Sequence, residues 1–244
     1  MLSSLSLCAG NARSLLRKPV DNLGPSSVPS RFSTAFCLRA AATFGFALLT
    51  GEAHAAEPDA PLPEPSRRGG FTFGVALGPQ VGSTRGYPND ARKIGRAAYL
   101  SETGFSGGGA GSAWIGITFN DLLSFSLAGY GGALVGAQHR STYQAFAFRV
   151  EAFPAYRVGG PFRDVGVSVE SGLGVVSSTR TEGDGAKAID SGSASRFAFG
   201  AFYEGFRLGK LAMGPFVEGD LMWSGSAFRP TTWLGWRTNF TNKP

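Results

Sequence analysis

Period-two alternation constrains this chain more than any other feature. From Phe71 to Phe240, bulky apolar residues exchange places with small or polar ones at nearly every step, and no stretch keeps a helical period. Successive side chains of a strand point to opposite sides of the sheet, so the pattern specifies strands with two unlike faces. Eight segments carry it: 71–78, 109–119, 122–136, 145–157, 164–177, 196–208, 211–223 and 231–240. In the first, Phe71, Phe73, Val75 and Leu77 share one face, and Thr72, Gly74, Ala76 and Gly78 the other. In the fourth, Phe146, Phe148 and Val150 oppose Ala147, Arg149 and Glu151.

The connections alternate in length. Asn120-Asp121, Gly209-Lys210 and the run 158–163 are short and rich in turn formers, whereas 84–108, 138–144, 179–193 and 224–230 read as longer loops. Short turns on one rim and longer loops on the other mark an up-and-down transmembrane barrel. An even strand number puts both ends of the barrel segment on the short-turn side.

Bulk decides which face meets which environment. The Phe/Val/Leu/Ile face recurs on every strand, while the opposite face holds Gly, Ala and Ser with Arg149, Glu151, Glu170, Glu204, Glu218, Asp220 and Arg237. A soluble sandwich or lipocalin-like barrel, the competing reading, puts bulky apolar groups inside and charges outside. Lipid cannot satisfy an open sheet edge, so a sheet with an apolar exterior must close. The fold expected is therefore all-β, a closed eight-stranded antiparallel up-and-down transmembrane barrel over 71–240.

Eight strands leave an interior just filled by side chains, so many inward positions must be small. Of the 36 glycines, 31 lie at position 70 or later, and they are assigned to lumen and turns. Charges in so narrow a space are costly alone, so the acidic groups are expected to pair with Arg149 and Arg237 as a plug. A gate or ion path is the alternative. Phe71, Phe119, Tyr156 and Phe240 fall near the short-turn rim, where an aromatic girdle would sit.

The segment ahead of the barrel has a different logic. Arg31 and Arg39 precede an apolar stretch from Ala40 to Leu49, followed by Ala53-His54-Ala55, the layout of a secretory signal cut after Ala55. Residues 1–55 are thus expected to be a leader. Its first 27 residues read as an upstream mis-start, with a transit peptide as the other reading. Residues 56–70 form a Pro-rich spacer and 241–244 a tail. The net charge of +6 is partly the leader's, since Arg13, Arg17, Lys18, Arg31 and Arg39 lie there against Asp21 and Glu52. The alkaline balance therefore gives no case for nucleic acid. Cys8 and Cys37 both precede the barrel, which excludes a thiol nucleophile or a disulfide framework in it. No metal-ligand cluster or cofactor fingerprint is present; Gly104–Ser112 lacks the Lys-Ser/Thr of a phosphate loop.

Strand count, alternation, turn asymmetry and the last strand, Thr-Thr-Trp-Leu-Gly-Trp-Arg-Thr-Asn-Phe at 231–240, resemble the small eight-stranded outer-membrane barrels, the OmpA-type transmembrane domain and its relatives. The resemblance implies a non-enzymatic, monomeric protein of the bacterial outer membrane with a structural or surface-interaction role. It also implies a terminal aromatic, Phe240 spaced after Gly235, recognised by the barrel-assembly machinery. A small or gated pore is the alternative role. His139-Arg140-Ser141 weakly resembles the His-x-Ser element of outer-membrane lipid A deacylases, with Glu151 the nearest downstream acid, and defines an enzymatic alternative. Loop cations Arg85, Arg92, Lys93, Arg96, Arg140, Arg180, Lys187 and Arg229 outnumber Asp90, Glu102, Glu182, Asp184 and Asp190. That surplus suits contact with lipid and lipopolysaccharide phosphates.

Overall fold

The computed structural model describes residues 68–158, 160–181 and 187–242. The leader, including Ala53 and Ala55, and most of the spacer lie outside the described residues. Eight long strands form the wall: β1 (Gly70–Gly82), β2 (Ser106–Thr118), β3 (Leu123–Val135), β4 (His139–Ala152), β5 (Val165–Arg180), β6 (Ala194–Tyr203), β7 (Leu211–Trp223) and β8 (Ala227–Thr241). Each pairs antiparallel with its sequence neighbour, and β8 returns to β1 with Phe73 opposite Phe240 and Leu77 opposite Trp236. The sheet is closed, so no wall strand leaves an unpaired edge. No α-helix occurs among the described residues, only 3-10 turns at Ala97–Tyr99 and Gly160–Asp164.

Alternation and burial agree strand by strand. Phe71, Phe73, Val75 and Leu77 are exposed on the outside, while Thr72, Gly74 and Ala76 are buried within. The same inversion runs around the wall: Ile115, Phe148, Leu173, Phe199, Val217 and Leu234 point out, and the charged set points in. An interior of ions with an exterior of hydrocarbon is the reverse of a water-soluble barrel.

Several boundaries differ from the sequence expectation. All but the first residue of the run 138–144 is wall rather than loop, because β4 begins at His139 and is paired on both sides, Ser141 lying opposite Leu134 and Ser178. β8 begins at Ala227, so Arg229 is no loop cation but a fully buried lumen side chain. β5 runs to Arg180, and Lys187–Asp190 pairs back onto its end. Phe206–Leu208 extends the β6–β7 hairpin to Leu211, with Gly209 at φ +60° making the tight turn. The long first loop also holds two paired dipeptides, Arg85–Gly86 and Ser101–Glu102, the former joined to β8.

The glycines divide in a way composition did not reveal. A Cβ on inward Gly74 would strike the Trp114 ring, and one on inward Gly132 would strike Tyr143. Outward Gly107 and Gly129 have nothing within 4 Å of an added Cβ, and outward Gly131 only the Tyr143 carbonyl oxygen at 3.8 Å. The glycine surplus therefore does not lie in the lumen and turns alone, as expected from composition; part of it lies on the outer wall.

Candidate functional site

The interior is the most organised polar region of the molecule. The seven charged residues assigned to the lumen all lie there, each with at most 4% of its surface exposed. Period two places Arg149 and Glu151 on the same face of β4, and inter-strand pairing sets Glu170 of β5 directly opposite Arg149. Arg149 contacts Glu151 at 2.8 Å and Glu170 at 3.4 Å. Arg237 of β8 reaches Glu151 at 2.7 Å and Glu204 at 2.8 Å. Ser124 donates a further hydrogen bond to Glu151.

A third arginine completes this set. Arg196, at the start of β6, holds Glu170 at 2.5 Å and both Glu218 and Asp220 at 2.8 Å. The Trp233 indole N–H donates to the same Glu218 oxygen at 3.0 Å. Sequence reasoning passed over Arg196 because it stands at the first residue of its segment, yet it has the inward parity of Ala198 and Gly200. Aromatic rings seat the guanidiniums: Arg196 lies 3.7 Å from the centroid of Tyr130, Arg237 3.8 Å from Phe202, and Arg229 3.8 Å from Tyr143. Cation–π stacking of this kind shields a desolvated cation on the sides its carboxylates leave open.

The ladder continues to the short-turn rim. Arg68, just ahead of β1, lies over the Phe153 ring at 3.7 Å, donates to Asp164 at 2.5 Å and comes within 4.0 Å of Glu204. Its backbone N–H donates to Asp121, which also binds Arg163 at 2.7 Å. Residues of the spacer and turns thus pair with one another at this mouth. The other mouth is crossed by the first loop. Thr84 shares a hydrogen bond of 3.0 Å with Ser141 of β4, on the far side of the lumen. Tyr87 donates its backbone N–H to Ser226 and accepts from Asp190. Buried Ala188, Ile189 and Ala227 form a small apolar cluster there.

His139, Ser141 and Glu151 do not assemble a catalytic group. Ser141 is engaged with Thr84, and Glu151 lies ten residues farther along β4, held by two arginines near the other rim. Of the expected girdle, Phe71 and Phe119 are 44% and 64% exposed, and Phe240 packs on Phe73 with centroids 5.0 Å apart. Tyr156 sits in the turn after β4 beside Arg157. At Gly235 β8 lies tight against β1: an added Cβ would strike the Leu77 carbonyl oxygen. Among the described residues no group of acidic, His and Cys side chains could hold a metal ion.

The outer loop surface is cationic. Arg85, Arg92 and Arg96 are exposed, and Lys93 pairs with Asp90 at 3.3 Å. The backbone N–H of Arg92, and then Lys93, hold the Asp90 carboxyl below its usual range. Glu182 and Asp184 lie outside the described residues. A cleft of about 380 Å³ opens between Arg85 and the 82% exposed Phe105.

No protein-family model and no curated protein matches the chain. Among solved structures it is similar to Neisserial surface protein A, at 10% identity and a TM-score of 0.44, over 70% of this chain and 96% of that one. It is similar to Ail, the attachment invasion locus protein of Yersinia pestis, at 11% identity and a TM-score of 0.42, over 71% and 99%. A third is the N-terminal β-barrel domain of Pseudomonas aeruginosa OprF, at 13% identity and a TM-score of 0.38, over 71% and 100%.

Proposed function

We propose that this chain is a monomeric barrel of the bacterial outer membrane, closed to solute flow, with a structural or surface-interaction role in the envelope. The observation that carries the reading is the pairing of an apolar exterior with a filled interior. Phe, Val, Leu and Ile line the outside of every strand, while arginines and carboxylates contact one another across the lumen and both mouths are occupied. Such an exterior needs lipid, and such an interior leaves no continuous water path. Export depends on the leader and its cut after Ala55, and insertion on assembly machinery that reads Gly235 and Phe240. Arg85, Arg92, Lys93 and Arg96 then stand above the outer leaflet, against lipopolysaccharide phosphates. The role is non-enzymatic: the separation of Ser141 from Glu151 favours it over the deacylase alternative.

Planar-bilayer recording on the refolded protein tests the reading. The expected result is no steady unit conductance at 1 M KCl, from a species that changes gel mobility on boiling. A large, long-lived open level would replace it with the pore, and a species soluble without detergent would remove the membrane assignment.

A further inference from the structure

The outer half of the wall at β3–β5 departs from the rest of the exterior. On its outer face β4 is apolar toward its end, at Phe146, Phe148 and Val150, and polar toward its start, at Arg140, Thr142 and Gln144, all exposed. Among the described strands β4 alone has three consecutive outward polar positions. Beside them, Gly131 and Gly132 of β3 leave a groove of about 260 Å³, bounded by Gln144, Thr142, Val175 and Ser177. Among the described residues nothing forces Gly131 to be small: its nearest neighbour to an added Cβ is 3.8 Å away, and adjacent Gly129 has none within 4 Å. Glycine weakens a strand interior, so two glycines with open outer sides need a reason beyond the chain's own packing.

Height along the wall identifies what fits. Arg140 stands ten residues along β4 from Val150. At about 3.3 Å per residue and a tilt of about 40°, that is roughly 25 Å, the height of the apolar band of such barrels. If Val150 marks one edge of the band, Arg140 meets the outer headgroups. Thr142 and Gln144 then lie roughly 5 and 10 Å deeper. A membrane lipid offers phosphate, then ester or amide linkages and hydroxyls, then hydrocarbon, in the same order and spacing.

Resting on the outer-membrane reading above, we infer that this groove binds one phosphorylated glycolipid of the outer leaflet. Arg140 meets its phosphate. Thr142, Gln144 and Ser177 exchange hydrogen bonds with its linkage groups, and an acyl chain lies over Gly131 and Gly129 beside Phe146. In hydrocarbon those three polar side chains need partners, and the linkage groups supply them.

Native mass spectrometry of the full barrel in detergent, titrated with bisphosphorylated lipid A, its dephosphorylated form and phosphatidylglycerol, tests the inference. The wild type is expected to retain one lipid A and to bind it at least tenfold more tightly than Arg140→Ala, Gln144→Leu or Gly131→Leu. Dephosphorylation should cost the wild type the same factor and leave Arg140→Ala unaffected. Equal retention by wild type and variants overturns the site, as does equal binding of phosphatidylglycerol. A wild-type dimer that Gly131→Leu dissociates overturns it in favour of a second copy. Boiling-dependent gel mobility is read for every protein. A wild type without the shift defeats the membrane-barrel reading itself, whereas a shifted wild type that binds no lipid A defeats the groove alone. Gly131→Leu has an open outer side, and Arg140→Ala and Gln144→Leu decide the matter should it fail to fold.

Discussion

At the residue scale the lumen is governed by the cost of a buried charge. Removing one partner of a buried ion pair costs about 3–5 kcal/mol, because the remaining charge has neither water nor counter-ion. Arg196 is the extreme case, since its single guanidinium serves Glu170, Glu218 and Asp220. Arg196→Ala is expected to destabilise the barrel by at least that amount. Arg229→Met should lose less, because Arg229 bonds neutral Gln80 and Thr231 and has no carboxylate in ion-pair contact among the described residues. Urea titration of the folded gel band, compared between the two variants, checks the ranking. An Arg229→Met loss equal to that of Arg196→Ala would show that packing against Tyr130 and Tyr143, rather than charge, dominates. The seven lumen charges were legible because strand parity needs only the position of a strand's centre. Arg196 and Arg229 were not, because each stands at a strand start, where polar residues look like loop.

At the element scale the same ambiguity explains the lost half of β4. A strand is recognised by contrast between its faces. Arg140, Thr142 and Gln144 on the outside remove that contrast, since Ser141 on the inside is polar too. Pairing with β3 and β5 overrides the weak local signal. The closing seam between β1 and β8 makes a second point. Gly235 was singled out through a family resemblance, as part of a signal for assembly machinery, but it also lies against Gly78, with no room for a side chain on either. These two roles separate experimentally. Gly235→Val is expected to abolish refolding of purified protein into detergent micelles, where no machinery is present. Phe240→Ala, at a half-buried outward site, should refold there and lose yield only in cells. Normal refolding of Gly235→Val would leave recognition as the sole role of that glycine.

At the scale of the whole molecule, closure follows from the inverted distribution of bulk and charge, and that inversion was fully visible in the sequence. The contacts across the mouths were not. Arg68 belongs to a Pro-rich spacer and Thr84 to a long loop, and no local pattern says that either would turn back across the lumen. Their targets, Asp164 and Glu204 for Arg68 and Ser141 for Thr84, are remote in sequence, so only the closed barrel brings them together. The inversion also sets the solvent the fold demands. Outward residues stay apolar on β1 from Phe71 to Val81, ten residues apart, which at about 3.3 Å each and a tilt of about 40° covers roughly 25 Å. Mismatch between such a band and the hydrocarbon thickness costs fractions of a kcal/mol per Å. Refolding into phosphatidylcholine vesicles should therefore be most efficient where the hydrocarbon core is about 25 Å thick, and should fall off in thicker bilayers. Gel-shift yield across an acyl-chain series measures this. A yield indifferent to chain length would mean that the exterior is not matched to lipid, and the apolar wall would need another occupant.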